Sequence, residues 1–391
     1  MAPEPVADAR PRVLLDCTAI PAHRGGVGRY IEGLLAGLSP DEVVLSLAVQ
    51  RRDRRTLAAL APWAEVYAVP SLLRIRLLRL VWEQVSLPGL ASRLGVEVVH
   101  SPHYTRPRGW TGGRVVTVHD ATFFSHPETH RPLKRWFFRM WTKRSWRVAD
   151  VVITPSIATG DEVTRFIGKP KGVLEVAYLG VDLSRFHPPT ADEVESFRAA
   201  TASLKSRRWF AFLGTIEPRK NVLALLEGYR LLREEFAEET PDLLISGGRG
   251  WDTHAVARLN ALPSNSGVRE LGYVPATSLA ELLGGAVAVV YPSVGEGFGL
   301  PVLEAMASGA AVITTRRLAI PEVGGDAVLY IEPNAEEIRD ALRELLTNPD
   351  ENERLRALAT LRASLFTWHA TAKHHVTAYE IAAAAAAARA R

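Results

Sequence analysis

The stretch Val289-Val-Tyr-Pro-Ser-Val-Gly-Glu-Gly-Phe-Gly-Leu-Pro-Val-Leu-Glu-Ala-Met-Ala-Ser-Gly309 constrains this chain more than any other. The apolar run Ala286 to Tyr291 reads as a strand buried on both faces of a parallel sheet. Gly295, Gly297 and Gly299 then turn the chain and permit close approach of a ligand to the backbone. Pro301 stands where a helix begins, Leu300, Leu303 and Met306 face its sheet, and Gly309 ends it. A second strand, Ala310 to Thr314, follows at once. Strand, glycine turn, helix and strand is the unit from which ligand sites in open α/β sheets are built.

The same alternation runs through the chain. Arg12–Asp16, Val43–Ala48, Val96–His100, Arg114–Asp120, Asp150–Thr154 and Val173–Ala177 read as strands of a first half. Gly180 to Pro189 is a proline-rich exit, read as the interdomain linker. The alternation restarts at Arg208–Leu213 and continues through Leu243–Ser246, Val268–Gly272 and Ala327–Ile331. Thr367 caps a last helix through the alanine-rich tail, where poly-Ala simply favours helix. A chain of 391 residues is too long for one ordinary core. The expectation is two doubly wound, Rossmann-like α/β domains, residues 1–188 and 189–366, with Met1 to Arg10 a disordered leader.

Two carboxylates frame the glycine turn. Glu296 is either a solvated loop acid or a grip on ligand hydroxyls; Glu304 either complements a helix dipole or does the same work. Arg219 and Lys220, in the loop Gly214 to Asn221, oppose the dipole of the helix that follows and want an anion between them. The alternative is a pair of solvated cations. The turn around Gly25 and Gly26 presents N–H groups at a helix start, an anion site or merely a tight turn. It is not a dinucleotide fingerprint, because Ile31 replaces the third glycine. His119 and Asp120 end a strand, where open sheets place their ligands.

The segment G-E-G-F-G-L-P-x-L-E-A-M-A-x-G, with its E-x7-E spacing, resembles the retaining glycosyltransferases of family 4, which have the GT-B fold. The resemblance runs from Arg12 to Tyr379 and is loosest over Leu38–Val96. It implies two domains facing across a cleft, with helix 367–391 returning to the first. It implies that Glu296 contacts a donor sugar and Glu304 the nucleotide ribose, and that Arg219 and Lys220 clamp the donor diphosphate. It places His119 near the donor sugar and Gly25–Gly26 against the diphosphate and acceptor. Donor contacts are also implied at Gly214, Tyr273, Val274, Gly297, Phe298, Gly299 and Leu300, with main chain around Tyr273 and Val274 receiving the base. Asp16-Cys-Thr-Ala-Ile, Arg24-Gly-Gly-Val-Gly-Arg-Tyr30 and His119-Asp…Pro127-Glu128 are most similar to bacterial polysaccharide mannosyltransferases using GDP-mannose. The implied reaction moves a hexose from a nucleotide diphosphate sugar to a glycan or lipid-linked saccharide. A UDP-glucose-dependent enzyme of the same fold, and a silent nucleotide-sugar-binding module, remain as alternatives.

No Asp-x-Asp stands in a cleft loop, so no metal and no cofactor beyond the donor is expected. The single Cys17 excludes a disulfide framework. The net charge of +4 comes from local clusters, and no nucleic-acid partner is expected. No signal peptide and no spanning apolar run is read, so a cytoplasmic location is expected. Leu72 to Leu90, with Arg74, Arg76 and Arg79, reads as an ordinary amphipathic surface helix. In Leu133 to Val148, Arg135, Arg139, Lys143 and Arg147 recur every fourth residue, forming one helical row. That row is either merely solvated or, with Trp136 and Trp146, a peripheral contact with anionic membrane at the inner face of the cell membrane or with the phosphates of a lipid-linked acceptor.

Overall fold

A computed structural model describes residues 10–21, 25–201, 204 and 208–391. The expected leader at Met1 to Arg10 lies, but for Arg10, outside the described residues. The chain divides into two compact units. One holds the described residues to Gly180 together with Thr367–Arg391; the other is Val181–Phe366. The expected boundary at 188/189 thus falls later than the observed one. The reason is local: the Val181 N–H donates to the Phe366 carbonyl, and Pro188 packs on Gly309.

The first unit carries seven parallel strands: β1 Arg12–Asp16, β2 Val44–Gln50, β3 Glu65–Val69, β4 Val98–Ser101, β5 Gly113–Thr117, β6 Val151–Thr154 and β7 Val173–Val176. Their order is β3-β2-β1-β4-β5-β6-β7. Val13, Leu14 and Leu15 are fully buried, as a central parallel strand covered on both faces requires. The second unit carries six: β8 Trp209–Leu213, β9 Asp242–Ser246, β10 Val268–Gly272, β11 Val289–Tyr291, β12 Val312–Thr315 and β13 Leu329–Ile331. Their order is β10-β9-β8-β11-β12-β13. Each order reverses beside its first strand, between β1 and β4 and between β8 and β11. Ligands of open parallel sheets bind outside the carboxyl ends at such a reversal.

The C-terminal helix Trp368–Ala390 belongs to the first unit, and its alanines do more than favour helix. Thr371, Ala372, His375, Ala378, Tyr379 and Ala382 form its buried stripe. A side chain at Gly33 would strike the Trp368 indole, and one at Gly113 the Ala382 backbone, so small residues set the approach. A buried hydrogen-bonded chain fastens the helix. The His375 Nδ1–H donates to the Thr371 carbonyl at 2.7 Å, which leaves Nε2 to accept from the Tyr30 hydroxyl at 2.6 Å. Tyr30 then accepts from Thr117 Oγ1 at 2.8 Å, Thr117 from His100 Nε2 at 2.8 Å, and His100 Nδ1 from the Tyr379 hydroxyl at 2.9 Å. Burial holds both histidines below their ordinary pKa, His375 at about 4, so each is neutral with one fixed tautomer.

Candidate functional site

In the second unit the site grows from the loops that leave β8 and β11. After Leu213 the chain passes through Gly214 into a short turn, Pro218–Lys220, and the helix Val222–Phe236 begins behind Asn221. After Tyr291 it passes through Pro292 and Ser293 to Glu296. The two loops are stitched together: the Val294 N–H donates to the Arg219 carbonyl at 2.9 Å. Gly299 follows with φ 103°, a left-handed conformation that suits glycine at the start of helix Leu300–Ala307. Gly309, φ 72°, closes the turn after it.

The anion that Arg219 and Lys220 require is already present, and it is Glu296. Lys220 Nζ donates to Glu296 Oε1 at 2.6 Å; Arg219 Nη1 donates to Oε2 at 2.5 Å and to the Gly295 carbonyl at 2.7 Å. Arg219 Nη2 also meets Glu217 Oε1 at 2.7 Å. Ser293 Oγ lies 2.6 Å and the Tyr291 hydroxyl 3.0 Å from Glu296 Oε1, and Lys220 reaches the Tyr291 hydroxyl as well. Glu296 and Lys220 are 6% and 7% exposed, so neither the loop-acid reading nor the solvated-cation reading holds. Burial alone would raise the Glu296 pKa; the charges of Arg219 and Lys220 and the bonds from Lys220 and Ser293 outweigh it and hold it at about 2. Burial and the neighbouring Arg219 lower the Lys220 pKa against the pull of Glu296. Two cations thus face two carboxylates, and the cluster has no net charge.

Glu304 lies in the second turn of its helix, at 2% exposure, and no acid occupies the first turn. The dipole-complement reading therefore falls. Gly297, Phe298 and Leu300 are buried in the same turn, with Phe298 edge-on to Phe366. Tyr273 and Val274 follow β10 at the same edge of the sheet, Tyr273 71% exposed and Val274 half-buried.

The first unit places Gly25 and Gly26 at the start of helix Gly26–Gly37, exposed, with open space where side chains would stand. Residues 22–24 of that loop lie outside the described residues. His119 follows β5. Its Nε2 lies 2.7 Å from the Pro102 carbonyl, which must accept, so Nε2 carries the proton and Nδ1 is left as an acceptor. Burial lowers its pKa, opposed by the Pro102 bond and Asp120, and the Tyr30 ring stands edge-on at 4.9 Å. Asp120 does not orient His119; its Oδ1 accepts from the Thr122 N–H and hydroxyl at 3.1 and 2.8 Å.

The basic-aromatic segment forms the helix Pro132–Val148, but its cations are not one free row. Arg135 donates to the Pro127 carbonyl at 3.3 Å, and Arg139 to those of Phe123 and Phe124 at 2.7 and 3.3 Å. Trp146 is fully buried and gives its indole N–H to the Gly168 carbonyl at 2.8 Å. Only Lys143 and Arg147 of the row, and Trp136 of the two tryptophans, are exposed. Reading the sequence did not find Glu217, Tyr291 or Ser293 as partners, although Tyr291 and Ser293 flank the strand end where a partner is expected. Among the described residues no helix is long and apolar enough to cross a membrane, and no three His, Cys, Asp or Glu side chains group to hold a metal ion.

Residues 24–185 match the model of Glycosyltransferase Family 4, and residues 193–362 that of Glycosyl transferases group 1. The chain is 31% identical over 293 residues to O-antigen chain mannosyltransferase B of Escherichia coli, across 73% of this chain and 74% of that protein. Its fold is similar to that of sucrose-phosphate synthase from Thermosynechococcus elongatus, with TM-score 0.73 at 19% identity over 95% of this chain and 98% of the other. HepE of Anabaena, solved with UDP-glucose, gives TM-score 0.71 at 16% identity over 94% and 98%.

Proposed function

The chain belongs to the family 4 glycosyltransferases, with two Rossmann-like units of the GT-B fold, and from that premise we propose that it is a retaining hexosyltransferase. The donor is a nucleotide diphosphate sugar, GDP-mannose first, and the acceptor a hydroxyl of a glycan or lipid-linked saccharide. The mannosyl assignment leans on the likeness to an O-antigen mannosyltransferase. The Arg219–Glu296–Lys220 cluster carries the reading, because it holds a buried lysine and a part-buried arginine at the sheet reversal of the second unit.

The donor diphosphate exchanges with Glu296 for those cations. Arg219 and Lys220 then meet the charge that develops on the leaving phosphate, a preorganised electrostatic role that needs no metal ion and no cofactor beyond the donor. Glu296, released, accepts from sugar hydroxyls, and Glu304 holds the ribose. His119 takes a sugar hydroxyl through Nδ1. The leaving phosphate receives the acceptor's proton, so retention follows without a protein base.

UDP-glucose is the second donor to test, since HepE carries it on a similar fold. Labelled GDP-mannose and UDP-glucose, each incubated with saccharide acceptors, decide the matter. Incorporation from GDP-mannose supports the reading; incorporation from UDP-glucose alone moves the donor assignment. Binding of either nucleotide without any turnover would favour a silent binding module.

A further inference from the structure

We propose that the first unit carries a docking surface for an anionic phospholipid bilayer, formed by the turn and helix of residues 71–85 together with the tip of helix Pro132–Val148. This goes beyond the transfer reaction and stands or falls separately from it.

The helix Arg76–Arg93 carries two apolar stripes, one buried and one exposed. Leu87 and Ala91 are fully buried, and they pack on Leu14 and Val99 of β1 and β4. That inward stripe is the one an ordinary surface helix needs. On the other side Leu77, Val81 and Val85 recur every fourth residue and are 70%, 53% and 72% exposed, with Leu78 beside them. The preceding turn adds Leu72 and Ile75, 63% and 49% exposed, while Leu73 anchors it in the core. Six large aliphatic side chains within fifteen residues are left facing outward without a core to explain them, which is the informative departure from ordinary surface composition.

The surroundings say what covers them. Arg74 and Arg76 are exposed among these residues. The segment Arg106–Arg108 lies alongside, since Gln84 Nε2 donates to the Arg106 carbonyl at 2.9 Å. Arg108 in turn sits over the Trp141 ring at 5.3 Å, which brings in helix Pro132–Val148. That helix begins with Leu133, 78% exposed, and Trp136, 61% exposed, and its exposed cations include Lys134, Lys143 and Arg147. No Asp or Glu occurs in residues 66–82, 98–119 or 129–149. Glu83, next along the first helix, is buried and tied to Arg79. Exposed aliphatics and an aromatic, rimmed mainly by arginine and lysine, with Glu128 an exposed acid beside the tip of the second helix, match a surface of acyl chains beneath anionic headgroups. A second copy of the same patch would meet it with like charge. The contact is peripheral, because no helix among the described residues can span.

The test is co-flotation of the full chain with vesicles of phosphatidylcholine alone and of phosphatidylcholine with phosphatidylglycerol, at low and high salt. Wild type is expected to float only with the anionic vesicles and to be released by salt. Arg74→Ser with Arg76→Ser should weaken the partition about thirtyfold, two cations at the usual strength near such a surface. Leu77→Ser, Val81→Ser and Val85→Ser together should abolish it without moving Tm, because the three residues are exposed. No flotation at low salt, equal flotation with neutral vesicles, or undiminished binding of the serine variant would overturn the proposal. So would sedimentation showing a dimer that the serine variant dissociates, which would make the patch a self-association surface.

Discussion

Glu296 Oε1 and Lys220 Nζ stand 2.6 Å apart in the interior of the second unit, so the cation of the proposed clamp is neutralised by the residue proposed to hold the sugar. Two roles are thereby coupled. In the proposed reaction an incoming diphosphate competes with Glu296 for the same donors, and winning that competition frees the carboxylate.

The first prediction follows from this competition. Glu296→Gln keeps the shape of the side chain and removes its charge, so free GDP or pyrophosphate should bind about tenfold more tightly, the scale of one charged hydrogen bond. Turnover should fall in the same variant. Calorimetric titration of both ligands checks it; weaker binding than wild type would separate Glu296 from the anion site.

Lys220→Met leaves the buried Glu296 with Arg219, Ser293 and Tyr291 but without its second cation. Removing one partner of a buried pair typically costs about 3 kcal/mol. Urea unfolding should show a loss of that order. Adding Glu296→Gln should return part of the stability and none of the activity. Additive losses in the double variant would mean that the two side chains are not coupled.

Glu304 should divide from Glu296 in binding. If it holds the ribose, Glu304→Gln should weaken free GDP about tenfold. Unchanged GDP affinity would remove the ribose role.

The buried chain that fastens the C-terminal helix should be acid-labile. The His375 pKa is lowered from 6.5 to about 4 by burial. Between those values the unfolded chain binds a proton that the folded chain refuses, so stability falls as pH drops through that window, by on the order of 3 kcal/mol. Glu83, raised to about 7 by burial and Asp16, acts in the opposite direction, so the comparison with His375→Gln isolates the term. Urea midpoints between pH 7 and 4 should converge for the two proteins as pH falls; a parallel decline would contradict it.

The central strands were legible because burial on both faces leaves unbroken apolar runs, as in Trp209-Phe-Ala-Phe-Leu213, all buried. Strand β3 was not foreseen: Glu65-Val-Tyr-Ala-Val69 is a half-exposed edge strand whose pattern is diluted. Helix Ala191–Ala200 went unread although Thr190 and Glu193 form a capping box in plain sight. In the candidate site, Arg219, Lys220, Glu296 and Glu304 stood out in their glycine loops, whereas Glu217 did not. Their pairing with each other was not, because nothing local brings residue 220 to residue 296. The His100–Tyr379 bond, across 279 residues, left no local signal either. Trp136 and Trp146 were indistinguishable in the sequence; ten residues of helical phase send one outward and the other into the core.

Transfer of the hexose with retention can be followed in a single reaction mixture. GDP-mannose, a lipid-linked saccharide acceptor and the enzyme are followed together by phosphorus and proton NMR. Release of GDP in step with a new anomeric proton of the donor's own configuration is expected, undiminished by chelator and lost in Lys220→Met. An inverted anomer, or a rate that survives Lys220→Met unchanged, would contradict it.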